Sequence, residues 1–272
     1  MEQAMPPADA LESAAPTVVT EPTAITTEDA LLPPAAGDMT AGLAGSRSFV
    51  ALLIALIAAV TCTFGNLAAF GQTNIKRLLA YSTIAHAGYM MMPVSAALVL
   101  LASDPSAATK AISTMVLYLT IYLFMNLGAF AIVAFLRNQM FSEEIADYAG
   151  LIRTSPGVVV CFTAILFSLV GIPPLAGFLG KFAIFEALVE ANLMWLLVVA
   201  GINTAISLYY YLRVAKVMIM DEEPDTRGPI HFPMLSLSGA YVALVTAPVL
   251  LLIFNWNGLN EWARAACSQL LQ

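Results

Sequence analysis

The stretch Gly171-Ile-Pro-Pro-Leu-Ala-Gly-Phe-Leu-Gly-Lys-Phe182 sets the tightest limit on how this chain can fold. It places two prolines, three glycines and a lysine inside a hydrophobic segment that runs from Gly157 to Glu190. One straight helix over that segment would be about 50 Å long, whereas the hydrocarbon core of a bilayer is about 30 Å thick. Proline removes a backbone donor and clashes with the preceding turn, so the helix breaks near Pro173-Pro174. Broken backbone is tolerated at membrane depth only where protein or a water-filled cavity covers it. Lys181 follows the break. An ionisable side chain at that depth is costly and marks a functional site; the competing reading is a lysine that snorkels to an interface.

Composition supports the membrane assignment. Hydrophobic residues make up 60% of the chain and charged residues 11%, and the mean hydropathy is +0.83. The net charge of −7 is concentrated at one end: Glu2, Asp9, Glu12, Glu21, Glu28, Asp29 and Asp38 face Arg47 alone. No acidic or basic surface is therefore implied for the rest, and nothing argues for a nucleic-acid partner. Cys62, Cys161 and Cys267 are isolated and lack metal or redox spacing, so they read as small hydrophobes. There is no phosphate-binding glycine loop, no nucleophile beside a base, and no Cys or His cluster for haem or iron–sulfur.

Residues 1–47 are rich in Ala, Pro, Thr and Glu without apolar periodicity, which predicts a disordered tail. Six apolar segments follow, at 48–70, 78–101, 111–136, 157–190, 194–218 and 233–255, with a short tail at 256–272. The fold class expected is all-α, a polytopic membrane helix bundle of six transmembrane helices, one discontinuous at Gly171–Lys181. Short connections at 71–77 and 191–193 imply antiparallel neighbours, and Pro93 interrupts the second span. Lys76, Arg77, Arg137, Arg153, Arg213, Lys216 and Arg227 collect on one side; Arg47, Lys110 and Arg264 collect on the other. The positive-inside rule then places the first set in the cytoplasm and both termini outside.

Four residues are candidates for moving protons. With this orientation Lys181 lies in the outer half of the fourth span, in the first turn of a second half-helix if that helix starts near Gly177–Gly180. Desolvation and the positive helix end both act there against the ammonium, as proton exchange requires. His86, in Tyr81-Ser-Thr-Ile-Ala-His-Ala-Gly-Tyr89, can donate and accept at once, and Ser82 and Tyr89 could extend a polar file from it. Its alternative is a histidine fastened between helices. Glu186, with Glu190 beyond it, could mark an outward route or simply be a polar helix end. Lys76 could take part in transport or act, with Arg77, as a positive-inside anchor. Tyr118, Tyr122, Asn126, Asn203 and Ser207 add polar groups that often glue helices together. Tyr209-Tyr-Tyr-Leu-Arg213 reads as a tyrosine belt at the cytoplasmic interface.

Three blocks in this order carry a family resemblance: Gln72 to Tyr89, Gly171 to Phe182, and Ala205-Ile-Ser-Leu-Tyr-Tyr-Tyr-Leu-Arg-Val214. They resemble subunit N of the proton-pumping NADH–quinone oxidoreductase, respiratory complex I, within a wider group that includes multi-subunit cation/proton antiporters. The resemblance covers residues 48–255. It implies that Lys181 is the lysine of the family's discontinuous twelfth helix, in the outer half-channel. It also implies that His86 belongs to a polar axis along the membrane midplane. NAD and quinone would then be used by the complex, with no cofactor bound by this chain. Its partners would be other membrane subunits of complex I and the lipid bilayer of a bacterial inner membrane. Subunit N has fourteen helices in two inverted repeats, and only the last six find counterparts here. An upstream half is thus a further expected partner, without which Asn126 and Asn203 should face lipid and the chain should not conduct. The alternatives are a cation/proton antiporter subunit or a non-conducting structural fragment.

Overall fold

The computed structural model describes residues 36–224, 227–228, 230–252 and 254–270. Residues 1–35, which carry most of the expected disordered tail, lie outside the described residues. Contacts divide the chain between Ala41 and Gly42, and the larger unit, Gly42–Gln272, holds the helix bundle.

The elements are helices: α1 Ala36–Phe70, α2 Ile75–Leu100, α3 Pro105–Met140, the short α4 Leu151–Thr154, α5 Pro156–Val170, α6 Ala176–Glu190, α7 Met194–Met220, α8 Leu237–Leu251 and α9 Trp256–Leu270. A 3₁₀ turn, Ile145–Tyr148, precedes α4. Helix α1 starts at Ala36, upstream of the expected boundary at 48. Local chemistry sets the other ends. Asn74 caps α2 by accepting from Arg77 N at 3.0 Å. Asp104 accepts from Ser106 N and Ala107 N, with Pro105 at the first helical position of α3. At the other end of α3, Phe141 turns left-handed at φ 56°.

Among the described residues, four helices are long and apolar enough to cross a membrane singly: Leu43–Phe70 within α1, then α2, α3 and α7. Counting α8 and α9 as one bent span makes five. The six expected spans are therefore matched only in part, because a count by single-helix length leaves out the span that was expected to be discontinuous. The fourth expected span is two helices, α5 and α6, of 15 residues each. At about 22 Å apiece, neither crosses a core of about 30 Å alone. The sixth, expected over 233–255, is shorter: α8 covers Leu237–Leu251, and the chain then turns through 92° into α9, where a short tail was expected. Helix α9 has apolar residues at helical spacing, with Trp256, Leu259, Ala263 and Cys267 facing protein, and it packs on α3.

Helices α1 and α2 are antiparallel. A Cβ on Gly65 would lie 2.4 Å from Ala85 N, and one on Gly88 would lie 2.5 Å from Cys62 N. Ser95 donates to Ala51 O at 2.8 Å in the same register. Only small residues permit this approach. The outer face of α1 remains apolar, with Phe49, Leu52, Leu56, Val60, Phe64 and Leu67 exposed. Two charged groups lie at opposite ends of α3. At one end Lys110 pairs with Glu186 and Glu190 at 2.7 and 2.6 Å. At the other, Arg137 and Lys76 both meet Glu143, at 3.2 and 3.5 Å. Lys110 and Arg137 are separated by about 40 Å of helix.

Candidate functional site

The break between α5 and α6 builds the site. Gly171, at φ 91°, ends α5: its N–H reaches the carbonyls of Phe167 and Ser168, and Ile172 N reaches Phe167 O. This wrapped ending uses the conformation that glycine alone adopts without strain. Across the break, Gly177 N donates to Ser168 Oγ at 3.0 Å, and a Cβ on Gly177 would fall 1.9 Å from Ser168 O. Glycine is therefore required for α6 to dock on the end of α5.

Lys181 is 3% exposed. Its Nζ donates to Val170 O at 2.9 Å, reaching back across the break to a carbonyl that the interrupted helix leaves free. The ammonium also stands 4.6 Å from the centroid of the Tyr89 ring, at cation–π distance. Among the described residues no carboxylate pairs with it, and it stays inside the bundle rather than reaching an interface. Because α6 begins at Ala176, Lys181 sits in the second turn and not in the first. The helix-end field, which fades beyond the first turn, is thus a smaller influence than expected, and burial dominates.

His86, also buried, occupies the facing surface of α2. Its Nδ1 lies 2.8 Å from Tyr118 Oη on α3, and its Nε2 lies 3.5 Å from Tyr211 Oη on α7. Tyr211 in turn is hydrogen-bonded to Ser82. The imidazole is enclosed by the rings of Tyr122, Tyr89 and Tyr118, at centroid distances of 5.0, 6.0 and 6.1 Å. Tyr89 therefore separates His86 from Lys181, and its hydroxyl is anchored on α7 by Ala200 O and Thr204 Oγ1, both at 2.9 Å. Tyr118 closes the other side: a Cβ on Gly180 would lie 2.6 Å from its ring.

The remaining candidates lie elsewhere. Lys76 is at the start of α2, its side chain 61% exposed and paired with Glu143, where an anchor belongs. Glu186 and Glu190 hold Lys110 at the far end of α6, away from the His86 cage. The tyrosine belt is corrected. Successive helical residues point about 100° apart, so three tyrosines in a row cannot share one face. Tyr209 is exposed and stacks on Phe70 at 4.4 Å, whereas Tyr210 and Tyr211 are fully buried. The lipid exposure expected of Asn203 is corrected as well. Asn203 is buried, accepts from Asn66 at 3.1 Å and donates to Thr63 at 3.0 Å; Tyr210 donates to Asn66 at 2.9 Å. Asn126 is half-buried, next to Thr83 at 3.4 Å. Asn66 was missed by sequence reasoning; its signal is an amide alone in the apolar run of α1.

Comparison with known proteins places this arrangement. A family model described as NADH:quinone oxidoreductase/Mrp antiporter, transmembrane, matches residues 15–207. NADH-quinone oxidoreductase subunit N of Anaeromyxobacter sp. is 40% identical over 223 residues, 79% of this chain and 40% of that protein. Subunit N of Desulforamulus reducens is 46% identical over 190 residues, covering 70% of this chain and 37% of the relative. This chain thus spans about 40% of the length of the curated relatives it matches. Among solved structures, a chain of respiratory complex I from Thermus thermophilus aligns with TM-score 0.62 and 31% identity over 77% of this chain and 44% of that one. A chain of the Mrp complex from Dietzia sp. shares the fold, with TM-score 0.72 at 17% identity over 81% and 47% of the two chains. This multi-pass helical bundle belongs to the NADH:quinone oxidoreductase/Mrp antiporter transmembrane family.

Proposed function

We propose that this chain forms part of a proton-translocating subunit of an NADH–quinone oxidoreductase, with Lys181 and His86 as its relay. Other subunits would carry electrons from NADH to quinone, so no redox centre is needed here. The observation that carries the reading is the setting of Lys181: buried at a helix break, held by one carbonyl and one aromatic face, and unpaired by any described carboxylate. A buried ammonium kept without a counter-ion adds nothing as an ion pair, and what it retains is the capacity to exchange a proton. His86 supplies the neighbouring group that both donates and accepts. The break lets the side chain sit among backbone groups that a continuous helix would consume. Identities of 40 and 46% with subunit N favour this over an antiporter driven by a cation gradient. The subunit would reside in a bacterial inner membrane beside other membrane subunits, with the Lys76–Glu143 end cytoplasmic.

The test is NADH-driven proton translocation in membranes carrying the assembled complex. Lys181→Ala is expected to lower it while the subunit still inserts. Lys181→Arg should also impair it, because a guanidinium does not release its proton at accessible pH. Unimpaired translocation by Lys181→Ala would refute the relay. Proton flux driven by a sodium gradient, without NADH, would favour the antiporter reading.

A further inference from the structure

We infer that Ser82, Tyr211, His86 and Tyr118 form a single reversible hydrogen-bonded chain that extends the relay from Lys181 towards the Asn74 end of α2; the inference rests on Lys181 and His86 acting as a proton relay. The four side chains come from α2, α7 and α3, and all are buried. Their polar atoms follow one another in order: Ser82 Oγ to Tyr211 Oη, Tyr211 Oη to His86 Nε2 at 3.5 Å, and His86 Nδ1 to Tyr118 Oη at 2.8 Å. Every member is a hydroxyl or an imidazole, and each of these can donate and accept at once.

That chemistry gives the chain two complete orders. In one, Tyr118 donates to Nδ1, Nε2–H donates to Tyr211, and Tyr211 donates to Ser82. In the other, Ser82 donates to Tyr211, Tyr211 donates to Nε2, and Nδ1–H donates to Tyr118. One proton taken up by the Tyr118 oxygen converts the first order into the second. The hydroxyl proton of Tyr118 passes to Nδ1, the Nε2 proton to Tyr211, the Tyr211 proton to Ser82, and the proton of Ser82 passes to a water molecule that must reach it from the Asn74 end. One proton enters, one leaves, and the imidazole is neutral before and after. The Tyr118 end lies against α6, where its ring packs on Gly180, the residue before Lys181.

Ser82 lies one helical turn from His86, about 6 Å nearer the Asn74-capped start of α2. The direction of transfer is therefore along the membrane normal, away from the Lys110–Glu186–Glu190 end. Beyond Ser82 the inward-facing residues are apolar: Leu78 and Leu79 on α2, with Val214 and Met218 on α7. This dry closure prevents the chain from leaking protons continuously. The link between Tyr211 and Nε2 is the longer of the two imidazole contacts. Neighbouring Tyr210, although its hydroxyl also interacts with Tyr211 and Ser82, is anchored outside the chain. It donates to Asn66, and the amides of Asn66 and Asn203 fasten α1 to α7.

Tyr211→Phe removes one hydroxyl and keeps the ring, so the core volume is preserved. With its hydroxyl gone, Nε2 would be a buried donor without an acceptor unless the proton moves to Nδ1. An unpaired buried donor is the more expensive state. The variant should therefore hold His86 as the Nδ1–H tautomer, read from the imidazole nitrogen resonances of labelled protein. NADH-driven proton translocation by the assembled complex should fall about tenfold or more. Ser82→Ala should lower translocation similarly, Ser82→Thr should restore it, and Tyr209→Phe, at an exposed ring outside the chain, should leave translocation and the tautomer unchanged. Wild-type translocation by Tyr211→Phe and Ser82→Ala, alongside loss in Lys181→Ala, would overturn the chain and leave the relay standing. Wild-type translocation by Lys181→Ala would remove the relay itself.

Discussion

Two glycines on α6 do opposite jobs, and replacing each should fail differently. Gly177 meets backbone: its added Cβ would stand 1.9 Å from Ser168 O, which cannot move without unwinding the end of α5. Gly177→Ala should cost about 1–3 kcal/mol and lower the amount of assembled subunit, measured by immunoblot of purified membranes. Gly180 meets a side chain instead, the ring of Tyr118, 2.6 Å from the added carbon. Displacing that ring pulls its hydroxyl from His86 Nδ1, so Gly180→Ala should assemble yet translocate poorly. Gly201→Ala, which adds a methyl to open space, is the matched control and should do neither. Equal loss of assembly in all three would show that the glycines are ordinary packing positions. At this scale Lys181 and His86 were legible in the sequence because charge and imidazole are rare in apolar runs. Asn66 and the bond from Tyr211 to Ser82 were not, since they depend on which helices pack together, and no single run encodes that.

At the scale of elements, the break was readable from Pro173 and Pro174, whereas the ends of the later helices were not. Helix α8 stops at Leu251 because the chain turns there onto α3, a tertiary choice that apolar composition alone does not reveal. The short helix α6 is held at its far end by Lys110 between Glu186 and Glu190. Those side chains are 29, 47 and 33% exposed, so each pair contributes at most about 1 kcal/mol. Lys110→Met should accordingly leave the subunit folded, with faster hydrogen exchange confined to the last turn of α6; global destabilisation would contradict this. The opposite end is pinned differently. Ile75 N donates to Glu143 O at 2.9 Å, and Ile145 N donates to Thr73 O at 2.8 Å. The hydrogen bond from Asn74, together with Lys76 and Arg137, holds the Glu143 carboxyl below its usual range. A carboxyl so lowered stabilises the fold above its unfolded value, about 4.3, and that contribution disappears as pH falls through the folded value. Glu143→Gln should therefore lower the melting temperature at neutral pH, and the difference should close in acid. A difference that persists below pH of about 3 would exclude the charge as its origin.

For the whole molecule, the two charged ends of α3 turn a sequence count into a geometric statement. Lys76, Arg137 and Glu143 share one end with the loops at Gly71–Asn74 and Phe141–Glu144, while Lys110, Glu186 and Glu190 share the other. The excess of lysine and arginine at the first end is what the positive-inside rule weighs, and the carboxylates that neutralise some of them do not enter it. That end should face the cytoplasm, and Lys181 with its half-helix should then open towards the outside. Single cysteines at exposed positions test this without disturbing the site. Asn138, near the end of α3, and Ala102, in the turn before it, are both exposed. Of the native cysteines, Cys62 and Cys267 are buried and Cys161 is half-buried, so a Cys161→Ala background removes the one accessible competitor. In inside-out vesicles an impermeant maleimide should label Asn138→Cys and spare Ala102→Cys, and in intact right-side-out vesicles the pattern should reverse. The opposite pattern would invert the molecule. Lys181 would then serve the cytoplasmic half of the route, and the chain ending at Ser82 would point outwards.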